Sequence, residues 1–269
     1  MPEIKTQDLD RILAANRNIH EEVSKFVRAY LEKEHPRGWN RVDGAKKWIK
    51  VNGIMVEAPI NDPSLGGFVF FRGENKKNIC FINTNQPRVY QNFVLFHELY
   101  HFLTLGRQTR TVSVQGGRVH FLKADIDIEN EERRADYFAS LMLLPEDEVK
   151  EFYRSLASET KDDAIYYTMY HFQAPYKAVL IRLYELRLID LRDLVERFEE
   201  NSDFHAVFQR MGLDTASVEM SKTIDLQSVR TLMLQNRFML PEFTNKENEK
   251  ALERIETEIH NLREKSHDY

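Results

Sequence analysis

With a single cysteine, Cys80, the chain has no internal disulfide, which excludes a secreted, disulfide-stapled scaffold. It also lacks any apolar run near the roughly 18 residues that a membrane-spanning helix needs. A basic excess is missing as well. The 38 Lys and Arg stand against 43 Asp and Glu, a formal charge of −5, so no global positive field favours nucleic acid or anionic lipid. The segment from Met1 to Leu13 carries Glu3, Asp8 and Asp10 and has no apolar signal core. A cytoplasmic protein with neither membrane nor nucleic acid as partner is therefore expected. Low-complexity stretches and internal repeats are absent too. The 42% hydrophobic residues in a chain of 269 suffice for a buried core, which excludes a disordered or fibrous protein.

Charge is unevenly spread along the chain. Before Pro145 there are 21 basic and 18 acidic residues, and from Pro145 onward 17 basic and 25 acidic, so the halves carry +3 and −8. The first half mixes helix and strand signals, whereas the second reads as helix almost throughout. These shifts predict an α+β domain over residues 1–160 and an all-α region over 161–269. Apolar spacing gives a first helix from Asp8 to Glu34, stopped by His35, Pro36 and Gly38. A shorter helix spans Gly44 to Val51, with Asp43 as its cap. Three short strands follow at Ile54–Ala58, Gly67–Phe71 and Asn78–Ile82. After Pro87 a helix runs from Val89 to Leu105. A hairpin turns at Gly116 and Gly117 within Thr111–Leu122, and another helix spans Asn130 to Leu144.

The chemistry centres on His97, Glu98, Leu99, Tyr100 and His101, an H-E-x-x-H pattern inside the helix after Pro87. Successive helical residues turn by about 100°, so positions four apart lie about 40° out of line and both imidazoles can reach one zinc ion. Glu98 cannot readily join the same tetrahedron, but it can stand beside the open coordination position, where a general base belongs. Zinc lowers the pKa of a bound water to about 7, and Glu98 would take the proton as that water attacks a carbonyl. The alternative is a pair of satisfied core histidines. Phe93, Val94, Leu95, Phe96, Phe102 and Leu103 argue against it, because they bury the helix and make an unmetallated His pair with a Glu costly.

Catalytic zinc usually takes three protein ligands, so a third is expected on another element. Glu132 and Asp136 are four apart on the next helix, which lets the glutamate bind metal while the aspartate accepts the other ring N–H of a histidine. By spacing alone, Glu129 and Glu131 compete for this role, and a solvated first helical turn explains the acids equally well.

These residues resemble the ImmA/IrrE metallopeptidases, in which an H-E-x-x-H helix is followed by an E-x-x-A-(N/D)-x-F-A helix ending in an apolar run and proline. Here Glu132, Arg133, Arg134, Ala135, Asp136, Tyr137, Phe138 and Ala139 lead into Leu141, Met142, Leu143, Leu144 and Pro145. Upstream, Ile79 to Asn83 is similar to the family strand that ends in I-x-I-N. The resemblance covers roughly residues 50 to 145. It implies a zincin-like fold with a small sheet and a two-helix metal site, His97, His101 and Glu132 as zinc ligands, Glu98 as catalytic acid/base and Asp136 behind a ligating histidine. Its register removes Glu129 and Glu131. Tyr100 is bulkier than the family residue before the second histidine. Tyr100, His120 and Tyr137 are candidates for binding substrate or an oxyanion, with plain packing the alternative for His120, Tyr137 and His171.

Residues 171–189, HFQAPYKAVLIRLYELRLI, are similar to the helix-turn-helix that family members carry after the peptidase helices. Lys177, Arg182 and Arg187 would have to face DNA, but the half that holds them carries −8, which favours packing. Leu252, Ile255, Ile259 and Leu262 form a short apolar stripe expected to pack on a helix over Leu226–Leu240. Cys80 reads as a buried thiol. The resemblance implies a zinc endopeptidase that cuts an intracellular regulatory protein, a helix-turn-helix repressor. The competing readings are a noncatalytic, zinc-stabilised regulator that binds protein or DNA and a toxin-like protease paired with a repressor.

Overall fold

The computed structural model describes residues 5–34, 40–62, 64–70, 77–105, 112–115, 118–121, 128–200 and 202–227, with residues 250, 253 and 257. A 3-10 turn at Thr6–Asp8 opens helix α1, Leu9–Glu34. Leu9, Ile12, Leu13, Ile19, Val23, Val27 and Tyr30 recur at helical spacing and are buried, so one stripe of α1 faces the core. Helix α2 spans Arg41–Asn52, three residues longer at its start than expected. Its cap is Asn40, whose side chain accepts from the Val42 and Asp43 amides, and Asp43 lies inside the first turn. Asn and Asp cap about equally well, so composition alone does not choose between them.

Strands β1 (Ile54–Ala58), β2 (Gly67–Phe70) and β3 (Ile79–Asn83) form one sheet in the order β1-β3-β2. β1 runs parallel to β3 and β2 antiparallel to it. Met55, Cys80 and Ile82 turn into the main core. The outer edge of β1 is covered from far along the chain, because Glu57 and Asp225 exchange both backbone hydrogen bonds, at 3.1 and 2.8 Å. Among the described residues β2 has a ladder partner only on its β3 side.

Helix α3 (Arg88–Leu105) leaves the sheet, and the hairpin β4 (Val112–Gln115) and β5 (Arg118–Phe121) pairs antiparallel as the Gly-Gly turn predicts. Helix α4 (Ile128–Leu143) returns alongside α3 and also packs on α1. Pro145 then caps α5 (Glu146–Ser155), followed by α6 (Lys161–Phe172), α7 (Tyr176–Glu185), α8 (Leu191–Phe198) and α9 (Phe204–Arg210). Together these give the α+β class, with a small sheet and a helical region. The 252–262 stripe and most of the helix expected at 226–240 lie outside the described residues. No described helix is long and apolar enough to cross a membrane.

One apolar cluster extends from Leu9 to Phe208. Phe138 on α4 sits at its centre, fully buried, with ring centroids 5.6 Å from Phe26, 6.3 Å from Tyr30 and 5.7 Å from Tyr100. α1, α3 and α4 are thereby keyed to one side chain. The α6–α7 turn uses Gln173 in the left-handed region, φ 51°, followed by Ala174 and Pro175, which caps α7. Arg182 on α7 is buried, and its Nε donates to the Leu144 carbonyl at 3.0 Å, joining α7 to the end of α4. Phe138→Ala is expected to cost about 3–5 kcal/mol in chemical denaturation, as a large buried ring lost from a packed core does. A loss under about 1 kcal/mol would mean that this ring does not hold the three helices.

Candidate metal centre

α3 is largely enclosed. Val89, Val94, Leu95, Phe96, Leu99, Tyr100 and Phe102 are buried, and between Arg88 and Leu105 its only acidic residue is Glu98. His97 and His101 emerge one turn apart, their Nε2 atoms 3.2 Å from each other. Across the interface, Glu132 places Oε2 3.1 Å from His97 Nε2 and Oε1 3.3 Å from His101 Nε2. These donor atoms all lie within 4.8 Å of one another, as one ion requires. Because His97 meets Asp136 and His101 meets Glu132, α3 and α4 run antiparallel here.

The spacing itself tests whether a metal fits. Tetrahedral N and O donors bound at about 2.0–2.1 Å stand about 3.3–3.4 Å apart. The three separations of 3.1, 3.2 and 3.3 Å are close to those edges. Behind the site, His97 Nδ1 donates to Asp136 Oδ1 at 2.8 Å, which leaves Nε2 facing the other donors. Of the acids that competed on spacing, Glu131 lies 3.6 Å from Arg134, and the Glu129 side chain lies outside the described residues.

Electrostatics follow from burial and this crowding. Burial opposes the charged form of His97, yet hydrogen bonds to Asp136 and Glu132 outweigh it, and its pKa is pushed up to about 10. For Glu132 burial again works against ionisation, but His101 and His97 hold its carboxyl well below the usual carboxylate range. Glu98 is buried beside the histidines, and burial raises its pKa against the pull of His97 and His101, with Glu132 and Asp136 adding to the rise. A carboxylate of raised basicity is suited to taking a proton.

Two residues that spacing rules did not single out shape the approach to Glu98. A β-carbon on Gly67 of β2 would lie 2.6 Å from the Phe81 carbonyl oxygen, 2.8 Å from Val94 Cγ1 and 3.1 Å from Glu98 Cγ. Only glycine lets β2 pass this close to α3. Asn83, which ends β3 and is fully buried, organises the loop before β2. Its Oδ1 accepts from the Ile60 and Asn85 amides while Nδ2 donates to the Ile60, Asp62 and Leu65 carbonyls. The asparagine that closes β3, in the sequence Ile79-Cys80-Phe81-Ile82-Asn83, is thus the pin of the β1–β2 connection.

The remaining candidates are placed differently. Tyr100 is buried against Phe26 and Phe138, with its ring 5.8 Å from that of His101. Tyr137 is about 100° around α4 from Asp136, and its hydroxyl lies 2.8 Å from His20 Nδ1 on α1. His171 stacks on Phe152 at 3.9 Å. The backbone of His120 belongs to β5, opposite Ser113, and its side chain lies outside the described residues.

The family model of Peptidase_M78, described as the IrrE N-terminal-like domain, matches residues 50–184, which contain the three-stranded sheet, α3 and α4, α5 and α6, and all but the last residue of α7. The chain belongs to the Peptidase_M78 family. No curated protein matches it. The Peptidase_M78 match runs past the H-E-x-x-H and E-x-x-A-D helices and ends at residue 184, within the 171–189 stretch.

Two outcomes are expected. In elemental analysis the wild-type protein should carry about one metal ion per chain and His97→Ala and Glu132→Ala should each lose it, and unchanged content in both variants would remove these residues from the site. In addition, a proton that His97 holds up to about pH 10 must leave when metal binds, so apparent affinity should rise with pH through the neutral range. One displaced proton gives about tenfold per pH unit, measurable by chelator competition between pH 6 and 8. Affinity that is flat or falling over that window would contradict the ligand set.

Proposed function

We propose that this Peptidase_M78 protein is a zinc-dependent endopeptidase of the cytoplasm that cuts an intracellular regulatory protein, a helix-turn-helix repressor. The observation that carries the proposal is a buried glutamate, Glu98, next to a two-histidine, one-glutamate donor set. Two imidazoles and a carboxylate at tetrahedral spacing suit zinc, and three protein ligands leave one position for a water or substrate. When bound, the ion supplies Lewis acidity at a carbonyl and a water of lowered pKa. Glu98 takes the proton from the attacking water and returns it to the departing amine. Asp136 holds His97 in the tautomer whose Nε2 faces the site, and burial of α3 excludes bulk water from the Glu98 carboxylate. A site that only stabilised the fold would have no use for Glu98, which favours the enzyme over a zinc-stabilised binding module.

The edge of β2 that has no ladder partner among the described residues lies on a strand that passes close to Glu98 at Gly67, and it suits an extended peptide that adds its backbone hydrogen bonds to the sheet. A short extended segment gives little discrimination, so recognition of one protein needs a second surface. The half from Pro145 onward, with its charge of −8, complements the basic face of a DNA-binding repressor. Arg182 is buried and Lys177 lies 5.0 Å over the Phe198 ring, so two of the three basic residues of the 171–189 stretch are engaged within the protein. This supports a protein partner over DNA.

Glu98→Gln tests the chemistry. The amide should leave fold and metal content unchanged and lower kcat for a cleaved peptide or repressor by about 10²–10⁴-fold, while cleavage of the intact repressor by wild type slows as salt rises. Full activity in the variant would refute the role of Glu98.

A further inference from the structure

We infer that Arg133 is a positioning residue for the metal site: it anchors the Asp136 carboxylate, which in turn fixes His97. This rests on the metal reading proposed above. Asp136 divides its two oxygens. Oδ1 accepts from His97 Nδ1 at 2.8 Å, and Oδ2 lies 3.3 Å from an Arg133 terminal nitrogen one turn earlier on α4. The arginine follows Glu132 in sequence, yet it pairs with Asp136, so the ligand and the residue that supports the histidine are served from adjacent positions of one turn.

A carboxylate held by one hydrogen bond has a soft terminal torsion and can rotate about it. Rotation would break the contact to His97, or would swing an oxygen toward the ion and make Asp136 a rival ligand. A guanidinium on the second oxygen closes both routes. It also keeps Asp136 an acceptor, so that His97 donates from Nδ1 and presents a free Nε2 to the ion. Arg133 is not placed there for packing alone. Its side chain is 17% exposed, and its Nε is buried with no hydrogen-bond partner among the described residues. A buried donor without an acceptor is unfavourable, and an aliphatic chain would fill the same space without one.

Zinc affinity of the purified protein, measured by chelator competition at fixed pH, decides the matter. Arg133→Gln should keep one zinc per chain but weaken its affinity on the order of threefold to tenfold, less than the loss from Asp136→Asn, because its action is one contact further from the ion. Arg133→Lys should recover most of the loss by restoring a cation at Oδ2. In an Asp136→Asn background, adding Arg133→Gln should cause no further weakening, since the arginine acts through that carboxylate. Affinity unchanged in Arg133→Gln, a Lys variant as weak as Gln, or a full additional loss in the Asp136→Asn background would each overturn the inference. If the wild type itself takes up no zinc, the metal reading has failed, a result distinct from a wild type that binds beside an Arg133 variant that binds as well. Arg133→Met serves the same comparison should the Gln variant fold poorly.

Discussion

The antiparallel contact between α3 and α4 is what the rest of the site depends on. His97 and His101 belong to one helix and Glu132 and Asp136 to the other, so the donor set exists only while the two helices keep their register. A slip of one turn, about 5.4 Å, would carry Glu132 out of reach of both imidazoles. The register is held by apolar packing below the site, with Phe138 against Tyr100 and Phe26, and by the His97–Asp136 hydrogen bond at its level. Core and donor set therefore share elements, and damage to one is expressed in the other.

A second constraint is the close passage of β2 over α3. At Gly67 β2 passes so close to α3 that a β-carbon would meet Val94 and Glu98, and Asn83 fixes the loop that leads into the strand. The sheet is further held by residues 219–225. Besides the Glu57–Asp225 pair, the Lys222 amide donates to the Thr84 carbonyl, the Arg88 amide to the Glu219 carbonyl, and Lys50 Nζ to an Asp225 carboxylate oxygen at 2.6 Å. The segment after α9 thus closes one edge of the sheet and braces the start of α3, while the β2 edge has no ladder partner among the described residues.

The site was legible in the sequence where its chemistry follows from local geometry. Helical spacing alone brings His97 and His101 to one face, and alternation with turn residues gave the strands nearly to the residue. Spacing could not separate Glu132 from Glu129 and Glu131, since all three belong to one acidic turn; only the family register chose among them, and Glu132 is the acid that meets both histidines. What stayed hidden depends on residues far apart in the chain. Nothing local to Tyr137 says that it faces His20, nothing near Arg182 says that it ends on the Leu144 carbonyl, and nothing near Asp225 says that it covers β1. Asn83 was visible as a motif letter, but its work as a loop pin is apparent only from the carbonyls around it.

The donor set between α3 and α4, two imidazoles and one carboxylate, is spaced to hold a single ion. X-ray absorption at the zinc edge of the zinc-loaded protein tests it most directly. The expected result is four nitrogen or oxygen scatterers at about 2.0–2.2 Å, an imidazole signature from two rings, and no sulfur. A sulfur shell at about 2.3 Å, which only Cys80 or a methionine could supply, or the absence of imidazole scattering, would contradict it.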